Sequence, residues 1–301
     1  MKLRRVYVAA AVAMALAAAG CANNEDSDSG TAAAPSGSSS SAAFSIDSIQ
    51  KDDALAGQVD GKISSDGKLV VGTDPTYEPS EFKQGGKIVG FDVDLGTAIA
   101  KKLGLTAEFQ ESKFDAILPA LGSRYEIGMS SFTDNPQREK VVDFVTYYNA
   151  GTQWASKDPA FDPDNACGKK VAVQTGTVQD TDDLPARQKK CGGNAIQVQR
   201  YDAQDEATNS VVLGKADAVL ADSPVMAGAV KKVGGGLQLV GQVYDAAPYG
   251  IAVPKNAGTT KDAILGAVKA LVADGSYKAI LDTWGVSSGA ITDPVINGAS
   301  S

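Results

Sequence analysis

A chain of 301 residues, 43% hydrophobic and 21% charged, has a globular composition and enough length for two domains of ordinary size. The formal net charge of −8 argues against nucleic acid as a partner, because phosphate recognition needs a cationic footprint. No histidine occurs anywhere, which excludes a Ser-His-Asp or Cys-His nucleophile and any histidine-ligated metal, and so weakens the case for an enzyme.

The chain begins with the cationic MKLRR and an apolar run of 14 residues, 6–19. That run is too short to span a bilayer and fits the apolar core of an export signal. It ends in Ala18-Ala19-Gly20-Cys21. Small residues directly before a cysteine resemble a bacterial lipobox, in which Cys21 becomes the lipidated first residue of the mature protein. Ala18 stands where a leucine is usual, and a cleaved signal with an unmodified Cys21 is the plainer alternative. Removal of Lys2, Arg4 and Arg5 would take the charge to −11.

Export places Cys167 and Cys191 in an oxidising compartment. A disulfide between them would close a loop of 24 residues and contribute roughly 3 kcal/mol; two free buried thiols are the alternative. Neither has metal-ligand spacing, so no metal and no cofactor is expected. Residues 22–65 read as a flexible tether, rich in Ser, Ala and Gly, followed by a short extension. The scattered apolar residues Ile46, Ile49, Leu55, Val59 and Ile63 suggest one short helix there, packed on the outside of the domain.

Residues 68–73 form a strand run ending at glycine, and Pro75 and Pro79 force a loop after it. Residues 87–90 read as strand, 92–103 as a helix with apolar residues at helical spacing, 105–110 as strand, 114–121 as helix and 124–130 as strand. A second unit starts with the strand and glycine turn of KKVAVQTGT. Strand then follows at 196–201, helix at 205–213, strand at 216–221, helix at 225–233 and strand at 237–243. The last pieces are a strand at 250–254 and helices at 260–274 and 276–284. Such alternation predicts mostly parallel sheets covered on both faces, with ligands at the loops beyond the strands' carboxyl ends.

The stretch GMSSFTDNPQREKVVDF carries the strongest chemical signal. It sets Ser130, Ser131 and Thr133 a short loop ahead of Arg138. A guanidinium offers a planar fork of donors matched to a carboxylate, and the hydroxyls and amides before it can share that anion. The plainer alternative is a surface helix start capped by Thr133 or Asp134, with Arg138 solvated.

Taken in order, KLVVGTDPTYEPSEF, GKIVGFDVDLGTAIAKKLGL, FDAILPAL, MSSFTDNPQREKVVDF, KKVAVQTGT, ADAVLADSPV, PYGIAVPK and DGSYKAILDTWG resemble the family 3 extracytoplasmic solute-binding proteins that deliver polar amino acids to ABC importers. The resemblance runs from about residue 68 to 286. It implies a type II periplasmic-binding-protein-like α/β fold of two lobes, each a mostly parallel sheet flanked by helices, joined by a two-strand hinge. Lobe 1 would comprise residues 66–153 and 250–288, lobe 2 residues 154–249, with a tail at 289–301; the crossings would lie near 151–157 and 248–253. It further implies a monomer that captures a free amino acid and serves a membrane permease while anchored through Cys21. The rival readings on this fold are a ligand-sensing receptor module and a dehydratase-like enzyme.

By the same resemblance Arg138 grips the ligand's α-carboxylate, and Ser131 and Thr133 help hold it and the amino group; Ser130, from the same hydroxyl run, is a further candidate contact. Asp222 accepts from the α-ammonium; its alternative is a helix cap before Pro224. Tyr77 and Phe114 wall the side chain, and either could equally be core. Thr177 and the amide of Val178 lie at a helix start suited to an anion. Ser80 stands where many members carry phenylalanine, which opens the aromatic cage. Gln174 would suit a neutral polar side chain, whereas Asp74, with Glu78 nearby, would favour a cation, so the ligand's charge stays open.

Overall fold

A computed structural model describes residues 44–299. The expected signal segment, the lipidation at Cys21 and the tether as far as residue 43 lie outside the described residues. Where one short helix was expected before the first strand, the chain makes a 3-10 turn (Ile46–Ser48) and two single-turn helices, α1 (Asp53–Ala56) and α2 (Gly61–Ser64). The side chains of Asp52 and Asp60 accept N–H groups of α1 and α2, so each turn starts afresh at its own cap. Ile49, Val59 and Ile63 from this extension are buried in the first core.

β1 (Lys68–Thr73) leads into a small antiparallel sheet of β2 (Thr76–Tyr77), β3 (Glu81–Gln84) and β4 (Lys87–Val89). Then come α3 (Phe91–Lys102), β5 (Thr106–Glu111), α4 (Phe114–Ile117) and β6 (Ile127–Gly128). β1 pairs in parallel with β5 on one side and β6 on the other. Two expectations shorten here. The helix at 114–121 becomes one α-turn followed by a 3-10 turn (Leu118–Ala120), because Pro119 lacks the N–H to continue it. The strand at 124–130 contracts to two residues: its start is drawn into the turn closed by the Gly122 N–H on the Tyr125 carbonyl at 2.8 Å, and Ser131, just beyond its end, has a φ of 51°.

The hinge is built from two long strands. β7 (Val142–Ser156) runs into the second lobe, which continues with β8 (Lys170–Gln174), α5 (Leu184–Lys190), β9 (Gln197–Tyr201), α6 (Gln204–Val212), β10 (Ala218–Asp222) and α7 (Ser223–Val233). β11 (Gln238–Pro254) returns, followed by α8 (Thr260–Ala273) and α9 (Ser276–Trp284). The two strands expected at 237–243 and 250–254 are thus one strand, antiparallel to β7 and interrupted by three register shifts between Val240 and Gly250. Such irregularities bend and twist a ladder, which lets one pair of strands serve two lobes.

The full sheet order is β5-β1-β6-β11-β7-β10-β8-β9. Within β7, Thr152 to Ser156 already pair with β10. Those residues, inside the stretch expected to cross at 151–157, thus share a ladder with β10.

The first lobe's core gathers Leu69, Val71, Phe91, Leu95 and Ile99 under α8 residues such as Ile264 and Leu271. In the second lobe, successive residues of β8 and β10 feed opposite faces. Ala172 and Val219 pack with Met226, while Val171 and Leu220 pack with Trp154 and Leu184. A disulfide joins Cys167 to Cys191. The final residues run along β7, where Thr146 N–H donates to the Val295 carbonyl at 2.9 Å and Phe144 N–H to Asn297 Oδ1 at 2.8 Å.

Candidate functional site between the lobes

The loops beyond β1, β6, β8 and β10 converge on one small cavity between the lobes. Tyr77, Phe114, Ser131, Thr133 and Arg138 line it from the first lobe, and Thr177, Val178, Gln179 and Asp222 from the second. Its free space of about 10 Å³ matches a single water. An amino acid therefore enters only if the lobes part or the Arg138 side chain swings aside.

Arg138 begins a 3-10 turn (Arg138–Lys140) whose entry is held by Arg138 N–H donating to Asn135 Oδ1 at 2.8 Å. Its guanidinium donates to the Thr133 carbonyl at 2.9 Å and, across the cleft, to the Gly176 carbonyl at 3.0 Å. It lies over the Phe114 ring at 5.5 Å and the Phe132 ring at 5.7 Å, and those two rings stack at 4.6 Å. Burial pushes the guanidinium down to about 10, against the opposing pull of Asp222 and Asp182. It remains a cation, desolvated, with donors to spare for an anion.

Asp222 ends β10 and precedes the proline-led α7. Its Oδ1 accepts from Gln179 Nε2 at 2.8 Å and its Oδ2 from the Tyr249 hydroxyl at 2.8 Å. Its own N–H donates to the Tyr77 hydroxyl at 3.2 Å. Burial raises this carboxyl above the ordinary range; Tyr249, Gln179, Tyr77 and Arg138 each counter that. The side chain makes no capping hydrogen bond to α7, so the helix-cap alternative does not describe it.

Three of the expected contact residues do not line the cavity. Asp74, Ser130 and Gln174 form a buried layer behind it. Asp74 Oδ2 accepts the Phe114 N–H at 3.0 Å and Gln174 Nε2 at 2.8 Å, while Oδ1 accepts the Thr76 hydroxyl at 2.8 Å. Ser130 Oγ accepts the Asp74 N–H at 3.0 Å. Burial raises the Asp74 carboxyl to about 6, partly offset by its donors Thr76, Phe114 and Gln174. Ser80 is fully buried and off the cavity wall, and Glu78 pairs with Lys232 outside it. Both the Glu78–Lys232 pair and the Lys113–Asp202 pair bridge the lobes in exposed positions.

Thr177 Oγ1 is spent on the Gln174 carbonyl at 2.9 Å, and the Gly176 N–H donates to Asp180 Oδ2 at 3.2 Å. The helix after the glycine turn opens as a π-turn, Gln179–Asp183, so the anion site expected at its first amides is partly filled by its own Asp180. Gln179 was missed by sequence reasoning. An amide side chain carries no signal of its own; only its place two residues past Thr177 at a strand's carboxyl end could have marked it.

A two-lobed α/β fold with a two-strand hinge and a polar cavity between the lobes defines a type II periplasmic binding protein. The sequence comparisons agree: residues 69–287 match the model of the bacterial extracellular solute-binding proteins, family 3, and the chain belongs to that family. It is similar to the arginine-binding protein ArgT of Corynebacterium glutamicum, 38% identical over 251 residues that cover 81% of this chain and 82% of that protein. The L-arginine-binding protein of Pseudomonas aeruginosa is 33% identical, with 73% and 89% covered. Among solved structures, an ancestral arginine-binding protein bound to arginine superposes with a TM-score of 0.68 at 36% identity, covering 72% of this chain and 98% of that one. Among the described residues no helix is long and apolar enough to cross a membrane.

Proposed function

We propose that this protein captures a free cationic amino acid, arginine foremost, and presents it to an ABC permease. The observation that carries this reading is the shared cavity itself, with the Arg138 guanidinium on one wall and the buried Asp222 carboxylate on the other. A zwitterion needs one of each. In this reading Arg138, Ser131 and Thr133 hold the α-carboxylate while Asp222 accepts from the α-ammonium. Tyr77 and Phe114 enclose the side chain, and the Asp74 carboxyl behind Phe114 favours a cationic end. A ligand touching both lobes stabilises the closed arrangement over the open one, which drives hinge closure.

The names of the two curated relatives support arginine over a neutral side chain. Lipid anchoring through Cys21, a monomeric state and the division into lobes near the crossing strands belong to the same proposal. Isothermal titration with each of the twenty amino acids tests it. Arginine should bind most tightly, with lysine next. Absence of binding by every amino acid would reject the site, and glutamine binding above arginine would reject the cationic assignment.

A further inference from the structure

Beneath the Ser130–Ser131 loop lie two acids, Glu81 of β3 and Asp92 of α3, both with no exposure at all. Buried charges are ordinarily neutralised by a partner of opposite sign. Among the described residues neither acid joins a salt bridge, and the ionisable groups acting on the pair include Asp74, beyond β1, and the phenols of Tyr77 in β2 and of Tyr147 and Tyr148 in β7. Two carboxyl groups so placed cannot both ionise, so one proton stays between them. Glu81 Oε2 is buried with no donor from any other residue, and the Glu81 and Asp92 carboxyls act on each other.

The pair reaches the cavity through named bonds. Asp92 Oδ2 accepts the Ser131 N–H at 2.9 Å, and both Asp92 oxygens receive the Tyr147 hydroxyl, at 2.9 and 2.8 Å. Glu81 Oε1 accepts from Ser130 Oγ at 2.7 Å, and Ser130 Oγ in turn accepts the Asp74 N–H at 3.0 Å. Ser131 holds a φ of 51°, a left-handed conformation that serine seldom adopts. Its buried hydroxyl lies in the cavity wall, near enough to Asp92 and Tyr147 to act on both.

We infer that Glu81 and Asp92 are positioning residues. A carboxyl–carboxylate pair sharing one proton pins the Ser131 peptide in its left-handed turn and so fixes where Ser131 meets the ligand's carboxylate in the cavity wall. This rests on the reading of the cavity as an amino-acid site. Donation of the proton by Glu81 leaves Asp92 a full acceptor for both Ser131 and Tyr147. Loss of that proton at alkaline pH would set two buried anions against each other and loosen the turn.

The test is L-arginine titration between about pH 6 and about pH 9 on wild type, Glu81→Ala, Glu81→Gln and Asp92→Ala, with ligand-free melting of each at the same pH values. Asp92→Ala and Glu81→Ala should bind about tenfold more weakly. Glu81→Gln keeps a donor toward Asp92 and carries no titrating proton. It should recover most of the Glu81→Ala loss and abolish the alkaline fall in ligand-free melting temperature, which the titration of arginine's own α-ammonium cannot affect. Since Asp92→Ala removes four buried contacts and could fail to fold, the Glu81 variants carry the decision. Parallel alkaline falls in the ligand-free melting temperatures of wild type and Glu81→Gln, or undiminished binding by Glu81→Ala, would overturn the inference. If wild type binds no arginine, the reading of the site fails, and the ligand-free melting curves still decide whether the shared proton exists.

Discussion

The guanidinium of Arg138 donates to the carbonyl of Gly176 at 3.0 Å, a direct bond from a turn of one lobe to the glycine turn of the other. Gly176 permits it twice over. Its φ of 80° suits glycine, and a Cβ there would lie 2.9 Å from the Asp115 Cβ across the cleft. The residue proposed to hold a carboxylate is thus also the one that ties the lobes together.

Replacing Arg138 by alanine should weaken arginine binding at least about thirtyfold, the low end of the 2–5 kcal/mol lost when one member of a buried charge pair is truncated. Arg138→Lys should recover only part, because an ammonium cannot span two acceptors as a planar fork does. Calorimetric affinities equal to wild type in the alanine variant would remove Arg138 from the site.

Asp222 makes binding sensitive to acid. Burial, first among the causes, raises its carboxyl above the ordinary value, so on acidification it takes up a proton sooner than a free aspartate does. The neutral form no longer balances an ammonium. Affinity should therefore fall as pH drops toward the upper edge of the carboxylate range. Asp222→Asn should bind weakly and lack this acid limb; a limb of equal depth in both proteins would assign the titration elsewhere.

Asp143 bears on stability rather than binding. Burial alone would raise its carboxyl, but hydrogen bonds from Lys261, Asn297 and Lys255 outweigh that and hold it at about 2. A depressed folded value means stability that is present above the unfolded value, near 3.8, and is lost as pH falls through about 2. Lys255 and Lys261 are partly exposed, so solvent screening leaves about 1 kcal/mol of that shift as stability. Denaturant unfolding of Asp143→Asn at neutral pH should show a loss of that order, shrinking as both proteins approach about pH 2. A loss independent of pH would contradict the linkage.

The Cys167–Cys191 bridge should be structural only. Closing a 24-residue separation constrains the unfolded chain by roughly 3 kcal/mol, and neither cysteine lines the cavity. The double serine variant should melt at a lower temperature with arginine affinity within about twofold of wild type at 25 °C. A large affinity change would tie this loop to closure.

Local patterns were legible where periodicity and breakers decide. The apolar spacing of 92–103 and the proline-and-glycine punctuation around 68–79 placed α3, β1 and the loop after it. They were less so where long-range pairing decides. One continuous β11 was read as two strands, because residues 244–249 carry the polar and proline signals of a loop while their backbone still pairs with β7. The strand at 124–130 was read too long for the converse reason. The turn that the Gly122 N–H closes on the Tyr125 carbonyl takes its start, and Ser131 beyond its end gives its N–H to Asp92 rather than to a strand.

The amino-acid order by itself determined the α/β class, the absence of histidine chemistry and the arginine placed behind a run of hydroxyls. All of these depend on residue type and short spacing. Only the folded chain decided that Arg138, Phe114, Val178, Gln179 and Asp222 wall one cavity while Asp74, Ser130 and Gln174 stand behind it. It alone also buried Glu81 against Asp92. The reason is geometric: which side chains meet across the cleft depends on where two bulged hinge strands cross, and no local stretch of sequence encodes that distance.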